Sequence, residues 1–470
     1  MRWQRLFRAA IACGAALALT ACSGGGPHEP ATFRPTMQAT GPVTPPSATG
    51  TTPLWPSYHA DQARTAAVPG SVPDPAQSAW KADLGAAVYG QPVVIGDTVI
   101  VGTESNEVVA LNRSSGRRLW SYRLGAPLTN VSERAGCGNI DPLGITSTLA
   151  IDVGKREVFA VGEVVDGDSV QHKLVGLAVD TGRELLNENV DPRLPAGEKS
   201  IHLLQRAGLA IGNGRVYIGY GGNIGDCGSY HGWLVGASET TPGDLVSFEV
   251  ARDGEGGAIW LSGGAPAIGS DGSIYITTGN ANPFPPGQDR FEYTESVVKL
   301  SPSLKVLASF KDRTASGDED LATGNPVLLP DGLVFAVGKT DAGYLLRASD
   351  LGRVAVIRDV CGSDPDGGPA YDPTTQRLFV PCRGGGIQVI DVAKRMLGPR
   401  LPGANGAPIV VGDTVWAAQY PAGGLTGYAA NSGTRRQSLD TGTLPTFATP
   451  SFAAGMLFIG TRTGVIAFGR

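Results

Sequence analysis

The sequence lacks most of the short motifs that mark familiar enzyme classes. It has no G-x-S-x-G elbow, no H-E-x-x-H helix and no phosphate-binding P-loop. Histidine is scarce, at five residues in 470. No CxxC or Cys/His pairing of metal-ligand spacing is present, which leaves little basis for zinc. The acidic turns "SDPDGG" and "VDGDS" do not make a full EF-hand loop. Beyond residue 22 no run is long and apolar enough to cross a membrane as a helix, and helical periodicity is absent throughout. Positive charge is also short. Lys and Arg number 38 against 43 Asp and Glu, for a net charge of −5. That balance disfavours nucleic acid and anionic membrane surfaces as partners, since both need clustered cations.

What is there begins with an export signal. "MRWQRLFR" is basic, "AAIACGAALAL" is a short apolar run, and "LTAC" closes it at Cys22. The order resembles a bacterial lipobox, in which the Cys becomes the lipidated first residue. An ordinary cleaved signal is the alternative. Residues 1–21 are therefore expected to leave. Loss of Arg2, Arg5 and Arg8 takes the net charge from −5 to −8. Residues 22–53, rich in Pro, Thr, Gly and Ser, cannot bury enough apolar surface to fold and read as a tether. The expectation is an extracytoplasmic, membrane-anchored monomer whose folded body is 54–470.

That body repeats itself. Eight strands follow Gly/Asp/Asn turns: "VIVGT", "VFAVG", "VYIGY", "IYITT", "VFAVG", "LFVPC", "VWAAQ" and "LFIGT". Their second residues are Ile100, Phe159, Tyr217, Tyr275, Phe335, Phe379, Trp416 and Phe458, all but one aromatic. A matching strand precedes each, and a third strand with an outer turn follows, as in "EVVALNRSSGRRLWSYRLG". Four antiparallel strands per unit, in series, predict an all-β, eight-bladed propeller. The chain stops after the third strand of its last unit. "SAWKADLG" (78–85) parallels "RLWSYRLG" (118–125), so the N-terminal strand is expected to complete the last blade and close the ring.

Six cysteines divide by position. Cys13 lies in the signal and Cys22 takes the lipid. Cys361 and Cys382 bracket one blade hairpin, while Cys137 and Cys227 fall at matching places in long loops of neighbouring repeats. The expected disulfides are 137–227 and 361–382. Within "GDCGSYHGW", His231 reads as a hydrogen-bonded loop imidazole rather than a metal ligand, and Trp233 as a packing residue opening a strand.

"VVALNRSSGRRLW" resembles the blade signature of the PQQ-type propellers, whose Gly sits in the outer turn and whose Trp docks between blades. "WPSYHADQARTA" (55–66) resembles the segment before their first blade. That superfamily includes the quinoprotein alcohol dehydrogenases and the non-enzymatic BamB lipoprotein. The resemblance implies fold far more than chemistry. In the dehydrogenases Ca²⁺ sits beside the quinone PQQ in the central funnel, on oxygen ligands. The matching places here hold Asp226, Asn280 in "ITTGNANPF", and Asp318 or Asp320 in "GDEDLATGNP". Asp226 and Asn280 would be metal ligands, Asp318 or Asp320 the catalytic base, and Lys339 a basic residue against the quinone. The departures are an absent adjacent Cys-Cys pair, no Trp assignable as a cofactor floor, and Asp in place of Glu in the third blade. The expectation is thus a binding or scaffolding module engaging an envelope protein or cell-wall component, without a cofactor. A PQQ- and Ca²⁺-dependent dehydrogenase acting on an alcohol or sugar is the alternative.

Overall fold

A computed structural model describes residues 52–167, 169–281, 292–315 and 317–469. The signal segment, Cys22 and all but the last two residues of the tether lie outside them. The described chain forms eight antiparallel sheets. Blades 1 to 7 span 93–123, 150–189, 210–249, 267–311, 327–357, 370–401 and 409–439. Blade 8 takes its inner three strands from 451–469 and its outer strand from Gln77–Asp83, which pairs antiparallel with Gly464–Gly469. The expected closure is therefore what the structure shows. Uniform four-stranded blades are not. Blades 1 and 3 gain short antiparallel fifth strands, at Leu54–Trp55 and Leu203–Leu204, and blade 7 gains a parallel one at Ala67–Val68. One short helix, Val131–Ala135, and four 3-10 turns accompany the strands.

The inner strands of the blades are buried on both faces. The second residue of each repeat strand, including Phe159, Tyr217, Phe335, Phe379, Trp416 and Phe458, is almost wholly excluded from solvent. Between blades, a side-chain donor often reaches an outer-turn carbonyl of the next blade. Trp80 Nε1 donates to Arg113 O and Trp120 Nε1 to Val179 O, both at 2.8 Å. Tyr217 Oη donates to Pro302 O at 3.0 Å and Tyr275 Oη to Ala348 O at 2.8 Å. Arg377 does the same toward Ala430 O and Asn431 O. The tryptophans need glycine beneath them. A Cβ on Gly116 or Gly182 would lie 2.6 Å from the Trp80 or Trp120 ring, and both glycines hold positive φ.

The segment that opens the body is the most heavily connected. Residues 54–55 pair with 94–95 of blade 1. Pro56 O then accepts from Ile151 N of blade 2, and Gln62 Nε2 donates to Ile211 O of blade 3. Gln62 O, Ala63 O and Thr65 O accept from Ile268 N, Leu328 N and Tyr371 N of blades 4, 5 and 6. Residues 67–68 pair with blade 7. One stretch of fifteen residues, 54–68, thus visits seven first strands in order, as a hoop, before 77–83 finishes the eighth blade. It lies where first strands turn into second strands, so it caps that end of the axis. Tyr58 plugs the centre: its hydroxyl accepts from Gly368 N at 3.1 Å, its ring packs on Ala265 and Ala407, and it stacks on His59 at 4.0 Å.

Holding the hoop costs backbone strain. His59, Ala60, Arg64 and Ala66 all have positive φ, at roughly 1–2 kcal/mol each. Arg64 offsets this. Its buried guanidinium donates to Pro266 O from Nε and Nη2, and to Ser57 Oγ, Tyr58 O and Asp61 O from Nη1. Arg64→Ala strands these acceptors and is expected to cost roughly 3–5 kcal/mol. A lower urea midpoint at unchanged slope would agree; an unchanged midpoint would show that the hoop does not depend on Arg64.

Candidate functional site in the funnel

The loops leaving the second strands lie at the end of the axis opposite the hoop. Three consecutive blades there bring together the residues singled out in the sequence. Lys339 Nζ, from blade 5, bridges the carboxylates of Asp318 and Asp320, the latter at 2.7 Å. Asp320 Oδ1 also accepts from Asn280 N of blade 4 at 2.9 Å. Asp226 of blade 3 accepts from Tyr230 Oη at 2.6 Å and feels the charges of Asp318 and Lys339. Gly279 permits the approach of Asp320, because a Cβ there would stand 2.3 Å from Asp320 Oδ1.

The two aspartates of "GDED" differ sharply. The Asp318 side chain is 67% exposed and that of Asp320 is 2% exposed. Burial pushes Asp320 up to about 6, against the opposing pull of Lys339 and the Asn280 N–H. Of the two candidates for a base, Asp320 has the enclosed, tuned environment that proton transfer uses. Burial also raises Asp226, eased by the Tyr230 hydroxyl and Lys339.

Both expected disulfides form, Cys137–Cys227 and Cys361–Cys382. The first ties the loop before blade 2 to the loop that carries Asp226 and Tyr230, so "GDCGSYHGW" is both a stapled loop and one wall of the cluster. His231 Nδ1 lies 2.5 Å from Glu198 Oε1, the hydrogen-bonded arrangement read from sequence, and Trp233 opens the strand Trp233–Ser238. Cys361 and Cys382 are buried while Cys137 and Cys227 are partly exposed. A mild reductant should expose Cys137 and Cys227 to alkylation while the blades stay folded, with the other pair protected until unfolding. Simultaneous modification of all four would contradict that order.

A cation needs oxygens without other partners. Asn280 Oδ1 is buried with no hydrogen-bond partner among the described residues, while its Nδ2 donates to Ala281 O. That stranded acceptor beside two aspartates suits a hard ion. Asp320, by contrast, already has both oxygens engaged, and among the described residues no three His, Cys, Asp or Glu side chains group as a metal cage. The donor chemistry therefore fits calcium only with Asn280 Oδ1 as the leading oxygen and with some release of Asp226 from Tyr230 and of Asp320 from Lys339.

The sequence reading missed a second buried group around the axis. Arg206 of blade 3 reaches across to blade 8, with its guanidinium 5.7 Å from the Tyr89 ring centroid and 5.2 Å from that of Phe447. Arg462 donates to Tyr89 Oη at 3.1 Å. Asp366 accepts two bonds from Arg383 and one from Tyr420 Oη. Glu104 Oε2 accepts from Gly144 N and Thr146 Oγ1, while its Oε1 is buried without a hydrogen-bond partner. A signal for Glu104, Arg383, Tyr420 and Arg462 was present. Counting four residues past each second-strand position gives Glu104, Glu163, Gly221, Gly279, Lys339, Arg383, Tyr420 and Arg462. The two glycines make room, one for Asp320 and the other for Trp260, whose Nε1 donates to Gly222 O at 2.8 Å.

With the geometry established, comparison with known proteins is informative. The family described as outer membrane protein assembly factor BamB matches residues 73–282. That match covers less than half of the chain. Quinohemoprotein alcohol dehydrogenase ADH IIB of Pseudomonas putida is 22% identical over 316 residues, 59% of this chain. The match takes in only 43% of that longer relative. Among solved structures, the quinohemoprotein alcohol dehydrogenase of Comamonas testosteroni superposes with a TM-score of 0.69 at 16% identity, covering 89% of this chain and 81% of its own. BamB of Moraxella catarrhalis gives 0.56 at 14% identity, over 84% and 99%. The proteins similar to this chain thus include both dehydrogenases and an assembly factor.

Burial pushes Glu104 up to about 7, above its ordinary 4.5. A carboxyl raised on folding stabilises the native state below its unfolded value, and that contribution is lost as pH rises through about 7. Glu104→Gln removes this dependence. Wild type should lose on the order of 3 kcal/mol relative to the variant between about pH 4.5 and pH 8. Parallel stability–pH curves for the two proteins would refute the assignment.

Proposed function

We propose that this protein is an exported, lipid-anchored binding module of the cell envelope whose funnel receives a small organic ligand. The observation that carries the reading is the convergence of Asp226, Tyr230, Asn280, Asp318, Asp320 and Lys339 on one mouth of the ring, with Asn280 Oδ1 left buried and without a hydrogen-bond partner. Buried polar groups of this kind destabilise a fold unless a ligand completes them. A disc serving only as a scaffold has no use for them. Anchorage rests on the basic, apolar and "LTAC" segments ending at Cys22.

A second reading, a PQQ- and calcium-dependent dehydrogenase, is favoured by the environment of Asp320 and by the dehydrogenases among the relatives. Asn280 and Asp226 would hold the ion, Lys339 would face the quinone, and Asp320 would take the proton from the substrate hydroxyl. The bound quinone would supply the two-electron acceptor that the side chains lack.

Thermal unfolding with PQQ and Ca²⁺, and again with EDTA, separates the possibilities. Native-state binding must raise the midpoint once the ligand exceeds its Kd. A calcium-dependent rise that disappears in Asn280→Ala supports the funnel as a cofactor site, and an alcohol and sugar screen with an electron acceptor then decides turnover. Binding without turnover keeps the module reading. An identical rise in Asn280→Ala and Asp226→Ala would remove this cluster from consideration.

A further inference from the structure

Away from the funnel, a cleft of about 470 Å³ lies between the long hairpin of blade 2 and the loops entering blades 2 and 3. Its lining is Arg134, Ser169, Val170, Lys199, Ser200 and Ile201. Two features set it apart. The charged side chains that line it are both cations, in a chain whose net charge is −5. Its apolar wall is also part of a built core. Val170 packs with Leu128, Val131, Ala135 and Leu143, and Ile201 lies against the same cluster.

The nearby acids are turned to other partners. Glu198, next to Lys199 in the chain, meets His231 at 2.5 Å, and Asp191 meets His172 at 2.7 Å. Glu163 interacts electrostatically with Arg134, but burial pushes it up to about 8, so it is largely neutral near pH 7. Among the described residues neither Arg134 nor Lys199 forms a salt bridge, so both cations face the cleft. The walls are also held in place. Cys137, two residues past the helix that carries Arg134, is bonded to Cys227, and Asn223 Nδ2 donates to Ile201 O at 3.2 Å. A preformed cleft loses less ordering entropy on binding than a floppy one.

We infer that this cleft binds a small organic phosphate, its dianionic head between Arg134 and Lys199 and its apolar body against Val170 and Ile201. Two cations match a dianion, the Ser200 hydroxyl can serve a further phosphate oxygen while Ser169 Oγ donates to Asp166 O at 2.8 Å, and the volume is that of a small-molecule site. Inorganic phosphate would use only the head of the site, and a neutral aromatic only its wall.

Calorimetric titration of the purified protein with phenyl phosphate, inorganic phosphate and phenol at low salt tests this. Phenyl phosphate should bind about tenfold more tightly than either probe alone, and weaken as salt rises. Arg134→Gln and Lys199→Gln should each weaken it about tenfold, and the double variant should abolish it at an unchanged melting temperature. Both side chains are exposed at the cleft, so folding is expected to survive. Ile201→Ala gives an independent arm: without adding charge, it should weaken phenyl phosphate and leave inorganic phosphate unchanged. Lack of phenyl phosphate binding, equal binding to the double variant, or phenol binding as tightly as phenyl phosphate would each overturn the assignment.

Discussion

The hoop of residues 54–68 is the constraint on which the rest of the ring depends. Each blade is a small twisted sheet, and blade-to-blade packing alone would leave the inner edges of the first strands open at the axis. The hoop takes backbone or side-chain bonds from blades 1 to 7 in turn, and the strand that follows it closes blade 8. It also fills the narrow end of the axis with Tyr58 and His59. His59 shows how dry that end is: burial pushes its imidazole down to about 3, so it stays neutral where a free histidine would take up a proton. With one end of the channel sealed, polar chemistry on the axis is confined to the other.

At that open end the blades differ where their cores do not. The same register point carries Glu104 and Glu163 in the first two blades, glycine in the next two, and Lys339, Arg383, Tyr420 and Arg462 in the last four. The glycines let neighbouring groups press inward, while the cations gather buried carboxylates: Lys339 with Asp320, and Arg383 with Asp366. The carboxylates are buried while the Arg383 side chain stays half exposed, and such pairs contribute little net stability because desolvation of the carboxylate cancels much of the attraction. Their value is in holding a fixed arrangement of charge inside a rigid ring.

The fold was readable because its signals repeat. Eight repeated strands, seven of them centred on an aromatic, a turn before each and one displaced outer strand identified the ring and its closure without any tertiary information. The exceptions have local causes. The added strands at 54–55, 67–68 and 203–204 are two residues long, too short to carry a period-two pattern. The hoop runs through positive-φ residues that no hydrophobic pattern describes. At the candidate site the residues Asp226, Asn280, Asp320 and Lys339 could be named in advance, because the resemblance to the quinoprotein dehydrogenases pointed to their places in the repeats. Which of Asp318 and Asp320 is enclosed could not, since burial depends on Gly279 and Lys339 from other blades. Arg206 was hidden for a similar reason. It stands in an ordinary-looking "LQRAG", and only curvature of the ring brings it over Tyr89 and Phe447.

The hoop also sets an order of assembly. Its residues leave the ribosome before any blade, yet their partners at 410–411 and the closing strand's partners at 464–469 come last. Contacts that far apart in sequence are slow to form, because the loop must close before they stabilise anything. The earliest part of the body therefore stays without its full set of partners until nearly the whole chain exists. A product cut short within blade 8 would lack the strands that Gln77–Asp83 must join, leaving an edge strand open to pairing with another chain. Completeness is in this sense checked by the fold itself, with a strand made before any blade, Gln77–Asp83, finding its partner only in the last strand of the chain.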